Sequence, residues 1–325
     1  MKHYLTLLKR EYWEHRGGFL WAPIWVASSF VVLIILALVT ALWHTSGKFN
    51  GQIFIGVPLK KLIEGVAEAE LPKFGLALDL SLIGFWIILQ FALFFVVFFY
   101  LLGALYDDRK DRSILFWKSL PVSDIETVLA KVIAAAWLAP LISFAITVLL
   151  GLGFLSLLSV FVLAHGGNPI TLIWGPAEPA ALYCKLLMTI PVNFIWSLPA
   201  VGWLLLASSF ARSKPFLWAV ALPAIIGGVL AWFQVMSALQ LPDSWYWKHV
   251  FVRFVAGLTP GTWPWNLNPG QNFNIRNLGE ETMNLASLEH IGNILSSQNT
   301  WAAVPFGAAL IIAAIYFRRK RELAD

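Results

Sequence analysis

Charge is what this chain has least of. Only 13% of its 325 residues are Asp, Glu, Lys or Arg, against 59% hydrophobic, whereas soluble domains carry about a quarter charged residues. With a mean hydropathy of +0.73, this composition excludes an ordinary soluble domain. The long apolar runs hold no Asp, Glu, Lys, Arg or His in their middles. A charge at a helix centre costs about 2.5–3.5 kcal/mol on insertion scales, so membrane proteins keep one there for transport chemistry. A proton-coupled antiporter, a voltage sensor and an intramembrane metalloprotease are excluded on that ground. The single cysteine, Cys184, excludes an internal disulfide and a cysteine-based metal cage, and reads as a buried, inert thiol. H-E-x-x-H, G-x-S-x-G and the Walker-type G-x-x-x-x-G-K-[ST] loop are all missing. No catalytic residue, metal ligand or cofactor site is therefore expected in this chain, and uphill work would need energy from another chain.

What remains is apolar chain in six blocks, approximately 19–43, 81–106, 128–164, 182–211, 215–241 and 300–317, each able to cross a hydrocarbon core that needs about 20 apolar residues. The expected fold is an all-α integral membrane protein, one transmembrane domain over 1–325. The third block is long for one span, and Gly151 and Gly153 are the places where it is expected to bend or change character. Residues 1–16 set Leu5, Leu8 and Tyr12 at helical spacing on one stripe, beside a basic stripe of Lys2, Lys9 and Arg16. That pattern predicts an amphipathic N-terminal helix on the bilayer surface, turning into the first span at Gly17 and Gly18. The first run is longer than a signal-peptide core and lacks a small-x-small cleavage site.

Lysine and arginine set the expected orientation. With both termini inside, fifteen lie on inner segments and eight on much longer outer ones, as the positive-inside rule requires for six spans. The expected location is a plasma membrane, here a bacterial inner membrane, with both termini cytoplasmic. The net charge of +5 is then topology and contact with anionic membrane lipid, and calls for no nucleic acid. Between the last two spans, 242–299 forms a Trp-, Pro- and Asn-rich outer loop with expected re-entrant or interfacial helices. Phe251 to Leu258 is the part expected to dip into the membrane, with Arg253 snorkelling. A further interfacial helix is expected around Leu59, Leu62, Ile63 and Val66.

Polar residues inside the spans are mild: Gln90, Ser143, Thr147, Asn193, Ser197 and Gln234. They serve either as interhelical hydrogen bonds or as polar contacts along a translocation path. His165, near the end of the third span, reads as a surface residue.

The densest charge lies in the loop 107–127. Arg109, Asp111, Arg112 and Lys118 flank Ile114, Phe116 and Trp117, which are too apolar for water and too few to cross a bilayer. Ser123 and Glu126 have capping-box spacing and predict a helix start. The block Asp111-Arg112-Ser113, then Leu120-Pro121-Val122-Ser123, then Lys131 resembles the corresponding loop of ABC-2 type permeases, the membrane subunits of a class of ABC transporters. The order of features along the chain is similar as well. The resemblance implies six transmembrane helices, a second permease subunit, and cytoplasmic ABC ATPase subunits that bind ATP and Mg. It also implies a cytoplasmic coupling helix seated in the ATPase, with Arg109, Asp111 and Arg112 in polar contacts around it, and export of a hydrophobic or amphipathic substrate. Two other readings compete: a membrane anchor or sensor that recruits a cytoplasmic partner through the same loop, and a polytopic lipid-modifying enzyme using His165, Glu289 or His290.

Overall fold

The computed structural model describes residues 2–45, 71–119, 121–164, 166–240, 242, 244–255, 257–258 and 288–320. They form an all-α, multi-pass membrane protein, with no strand among the described residues. Thirteen α-helices follow in order: α1 Lys2–Glu14, α2 Ala22–Thr45, α3 Leu71–Ala104, α4 Tyr106–Lys110, α5 Ser113–Ser119, α6 Asp124–Ile133, α7 Ala139–Ala164, α8 Pro179–Phe210, α9 Leu222–Trp232, α10 Val235–Ala238, α11 Val252–Val255, α12 Leu288–Ser296 and α13 Gln298–Lys320. Among the described residues five stretches are long and apolar enough to cross a bilayer: Gly17–Thr40, Leu71–Lys110, Asp124–Ala164, Ile170–Phe210 and Thr300–Lys320.

The fifth expected span is shorter than its apolar run. Its helix, Leu217–Trp232, is about 16 residues, or roughly 24 Å at 1.5 Å per residue, against a hydrocarbon core of about 30 Å. Gln234 ends it, adopting a left-handed backbone at φ 50°, which an L-residue with a Cβ enters only at a cost. The chain then folds back. The Tyr246 hydroxyl donates to the Pro223 carbonyl at 2.8 Å, Phe254 stacks on Trp203 and Phe306, and Asn193 donates to the Leu258 carbonyl at 3.4 Å. The segment around Phe251 to Leu258 thus packs against the middle of α8. The helix expected around Leu59 to Val66, residue His165 and most of the outer loop lie outside the described residues.

Three other expectations are corrected. The long third block does not change character at its glycines: α7 runs as one α-helix through Gly151 and Gly153. A Cβ on Gly151 would collide with the Tyr183 hydroxyl, so this glycine makes room for a neighbouring helix. The irregularity is instead a π-helical turn, Ala134–Leu138, next to Pro140, whose ring cannot donate to the helix ladder and displaces the turn before it. Gly17 and Gly18 do not form a turn either, because a second π-helical turn, Gly17–Trp21, carries the chain directly from α1 into α2. Cys184 is exposed rather than buried, since it sits on the face of α8 opposite its buried residues.

The tightest helix pair is α8 with α13. Apolar burial between transmembrane helices brings little gain over lipid, so close van der Waals packing on small residues takes its place. Here Gly202 and Gly307 face each other: a Cβ on Gly202 would lie 2.9 Å from the Gly307 carbonyl oxygen, and one on Gly307 would lie 2.7 Å from the Leu198 carbonyl carbon. Backbone atoms cannot swing aside. Gly307→Ala is therefore expected to destabilise the protein by roughly 1–3 kcal/mol. Gly153→Ala, with nothing within 4 Å of its Cβ, is expected to be neutral or slightly stabilising. Thermal unfolding of the two variants in the same detergent checks the contrast.

Candidate functional site

At the end of the bundle where α1, α4, α6 and the end of α13 meet, the chain holds a network of six charges, four of them buried (Glu11, Asp108, Lys131 and Arg318) and two, Arg10 and Asp124, partly buried. Glu11 of α1 lies at its centre, 1% exposed. Lys131 Nζ, on α6, is 3.3 Å from Glu11 Oε1 and 3.9 Å from Asp108 Oδ2. Arg318, on α13, completes the chain of contacts: Nη1 donates to Asp108 Oδ2 at 2.9 Å and Nε to Asp124 Oδ1 at 3.1 Å. Arg10 Nη2 donates to Glu11 Oε1 at 2.7 Å, and the Tyr100 hydroxyl donates to Glu11 Oε2 at 2.8 Å. Three carboxylates face three cations. Balance of this kind is what makes such burial tolerable, because an ion taken from water without a partner costs several kcal/mol.

Each position follows from local sequence. Ser123 and Glu126 form the complete capping box, with Ser123 Oγ accepting from the Glu126 amide and the Glu126 carboxylate accepting from the Ser123 amide. That fixes the start of α6 and so the height of Asp124 and Lys131. A break in α3 at Leu105 leaves two amides to satisfy, and Ser208 Oγ accepts from both Leu105 and Tyr106 at 3.0 Å. Arg109, one turn on, donates through Nη2 to the Ser208 and Ala211 carbonyls at 2.7 and 2.9 Å. These are the last carbonyls of α8, where a cation is favoured.

The docking residues expected from the sequence are therefore divided. Arg109 is buried and holds the end of α8. Arg112 and Asp111 are exposed, and Arg112 forms the turn between α4 and α5 at φ 57°. Ile114 is buried and roots α5 in the bundle, whereas Phe116 is 59% exposed. Trp117 is half-buried, with the Arg10 guanidinium 3.8 Å above its ring, and Lys118 is half-buried beside it. Leu115, 49% exposed, lies on the same helix and belongs to its exposed face, although the sequence pattern does not single it out. Nor does it show Glu11, Asp108, Asp124, Lys131 and Arg318 as a unit. The available signal was that each charge abuts an apolar run, and pairing between residues as far as 210 positions apart is invisible to local periodicity.

Of the polar residues within the spans, Gln90, Asn193 and Ser197 line one small cavity between α3, the π-turn before α7, and α8. Ser143 and Thr147 are buried on α7, one and two turns from Pro140, which also lines that cavity. Gln234 is exposed just past the end of α9 and does not line this cavity. Glu289 is exposed on α12. Among the described residues no group of His, Cys, Asp and Glu could hold a metal ion. Comparison with known proteins finds no matching family model, no matching curated protein and no matching solved structure.

The network has a pH signature. Burial by itself raises the Glu11 pKa, but Lys131, Arg10 and the Tyr100 hydrogen bond outweigh it and hold the group below its ordinary value of 4.5. A carboxylate with a lowered folded-state pKa stabilises fully above its unfolded value, and that contribution is lost as pH falls through the folded value. Stability is expected to drop in this acid window, and less steeply in Glu11→Gln. At neutral pH, Glu11→Ala leaves Lys131 with only Asp108 and is expected to cost on the order of 3 kcal/mol, most of it recovered by adding Lys131→Met. Unfolding midpoints of the three variants, measured against pH, check both statements.

Proposed function

We propose that the chain is the membrane permease subunit of an ABC transporter, and that α5 is the coupling helix through which separate cytoplasmic ATPase subunits drive export of a hydrophobic or amphipathic substrate. One observation carries this reading: a seven-residue helix holds Leu115 and Phe116 out to solvent while its root, Ile114, is buried and its neighbour Trp117 is clamped by Arg10. Large apolar side chains are placed this way on a short rigid element when a partner covers them. In this reading the end of the bundle carrying α1 and α5 is cytoplasmic, ATP and Mg are bound by the partner, and a second permease subunit completes the transporter.

The buried network favours this reading over a passive anchor. A push on α5 reaches α4 through the turn at Arg112, then Asp108, and from there Arg318 on α13 and Lys131 on α6. An anchor that only recruits a partner has no use for a helix wired to several spans.

The test uses the protein together with its ATPase. Leu115→Ala with Phe116→Ala is expected to leave the protein folded and inserted yet to weaken ATPase retention more than about tenfold, equivalent to 1.4 kcal/mol, since burying an apolar side chain at an interface contributes about 1.5–3 kcal/mol. Arg112→Ala is expected to have a smaller effect that grows at low salt. Co-purification at two salt concentrations measures both, and undiminished retention in the double variant removes α5 from the coupling role.

A further inference from the structure

Buried polar atoms in native proteins nearly always have hydrogen-bond partners, and in a membrane there is no solvent to supply one. Nine buried side-chain atoms among the described residues have none, and six of them belong to facing helices of one seam: Asp79 Oδ1, Trp86 Nε1, Gln90 Oε1, Ser143 Oγ, Tyr183 OH and Asn193 Oδ1. The spacing is helical. Asp79, Trp86 and Gln90 recur at seven and four residues along one face of α3, and Tyr183, Asn193 and Ser197 share one face of α8. Ser143 lies on α7 one turn from Pro140, and Gln90, Asn193, Ser197 and Pro140 all line the cavity. Trp86, Gln90, Ser143, Tyr183 and Asn193 are each more than nine-tenths buried.

The chemistry of these atoms restricts what they bind. Gln90 Oε1 and Asn193 Oδ1 accept, Trp86 Nε1 donates, and the Ser143 and Tyr183 hydroxyls do either. No ionisable side chain lines the cavity, so a permanent charge there would be left unbalanced at high cost. Asp79, at the far end of the face, does not line the cavity and has the Glu178 backbone amide near it. A hydroxyl group both donates and accepts and carries no charge. The π-turn before Pro140 borders the same cavity, and a helix with a shifted hydrogen-bond ladder is an element that can reset to enlarge it.

We propose that the seam between α3, α7 and α8 is a hydrated site that takes the uncharged, hydroxyl-bearing head group of an amphiphile. This deepens the export reading and rests on it for the word substrate, but the site itself is tested without any ATPase. The full chain is reconstituted in phosphatidylcholine vesicles and exposed to hydroxyl radicals generated in situ from water, and oxidation is read residue by residue by mass spectrometry. Trp86 and Tyr183 are built-in reporters; Phe19, fully buried, and Phe91, exposed on the outside of α3, are the dry and lipid-facing controls. Trp86 and Tyr183 are expected to be oxidised well above Phe19 and Phe91. Adding diacylglycerol to the vesicles is expected to lower that oxidation severalfold, and adding phosphatidic acid to leave it unchanged. Gln90→Leu with Asn193→Leu is expected to suppress oxidation of Trp86, and Ser143→Ala, a milder change, to reduce it in part if the double variant does not fold. Oxidation of Trp86 and Tyr183 no greater than that of Phe19 overturns the site. Protection by phosphatidic acid equal to that by diacylglycerol overturns the uncharged head group. Either failure leaves the docking of α5 to be judged on ATPase retention alone.

Discussion

The buried ion network around Glu11 and Asp108 is the constraint on which the arrangement of this protein depends. A membrane bundle gains little from apolar burial between helices, so its geometry must be set by close-packed glycines and by polar groups that have nowhere else to go. Gly202 and Gly307 lock α8 to α13. At the end of the bundle the charges do the rest. Asp108 alone meets cations from α6 and α13, and Glu11 adds α1 and, through Tyr100, α3. Removing any one member strands its partners in a site where an uncompensated charge costs several kcal/mol. That is why five helices, α1, α3, α4, α6 and α13, share one position relative to each other.

The short helix α5 inherits its position from this network. Its root is Ile114, its flank is covered by Arg10, and Arg10 is itself paired with Glu11. The strained backbone at Arg112 sets the angle between α4 and α5, and the surrounding contacts hold it there, as strain of this kind requires. Exposed side chains on α5 are thus attached to the spans by a chain of contacts with little slack, which is the mechanical property that the proposed coupling role needs.

Much of the architecture was legible in the sequence, and the failures have identifiable causes. Apolar runs and the S-x-x-E box are local signals, and they lead to α3, α7, α8, α13 and the start of α6. The fifth helix defeated the hydropathy signal because Gln234 and the residues after it are apolar enough to span, while the backbone turns away to pack Tyr246 against Pro223 and Gly227. Gly151 does not interrupt α7; a glycine that admits a tyrosine hydroxyl and a glycine that breaks a helix look alike in one dimension. In the docking loop, composition located the element, but only three-dimensional packing could sort Ile114 and Arg109, which face in, from Leu115 and Phe116, which face out. Among the span polar residues, Gln90, Asn193 and Ser197 converge because they recur on facing helices, and Gln234 does not because its helix ends before it.

The central claim is that the buried charges hold α5 in place. Hydrogen–deuterium exchange of the amides of Ser113–Ser119 tests it in the isolated protein, comparing the natural chain with Asp108→Asn, a substitution that removes the charge shared by Lys131 and Arg318 but keeps the side chain's size. The account predicts faster exchange throughout α5, although α5 contains none of the residues changed, with exchange in the middle of α8 unaltered. Unchanged exchange in α5 would mean that Ile114 alone seats the helix, and would contradict the mechanical link between the docking surface and the spans.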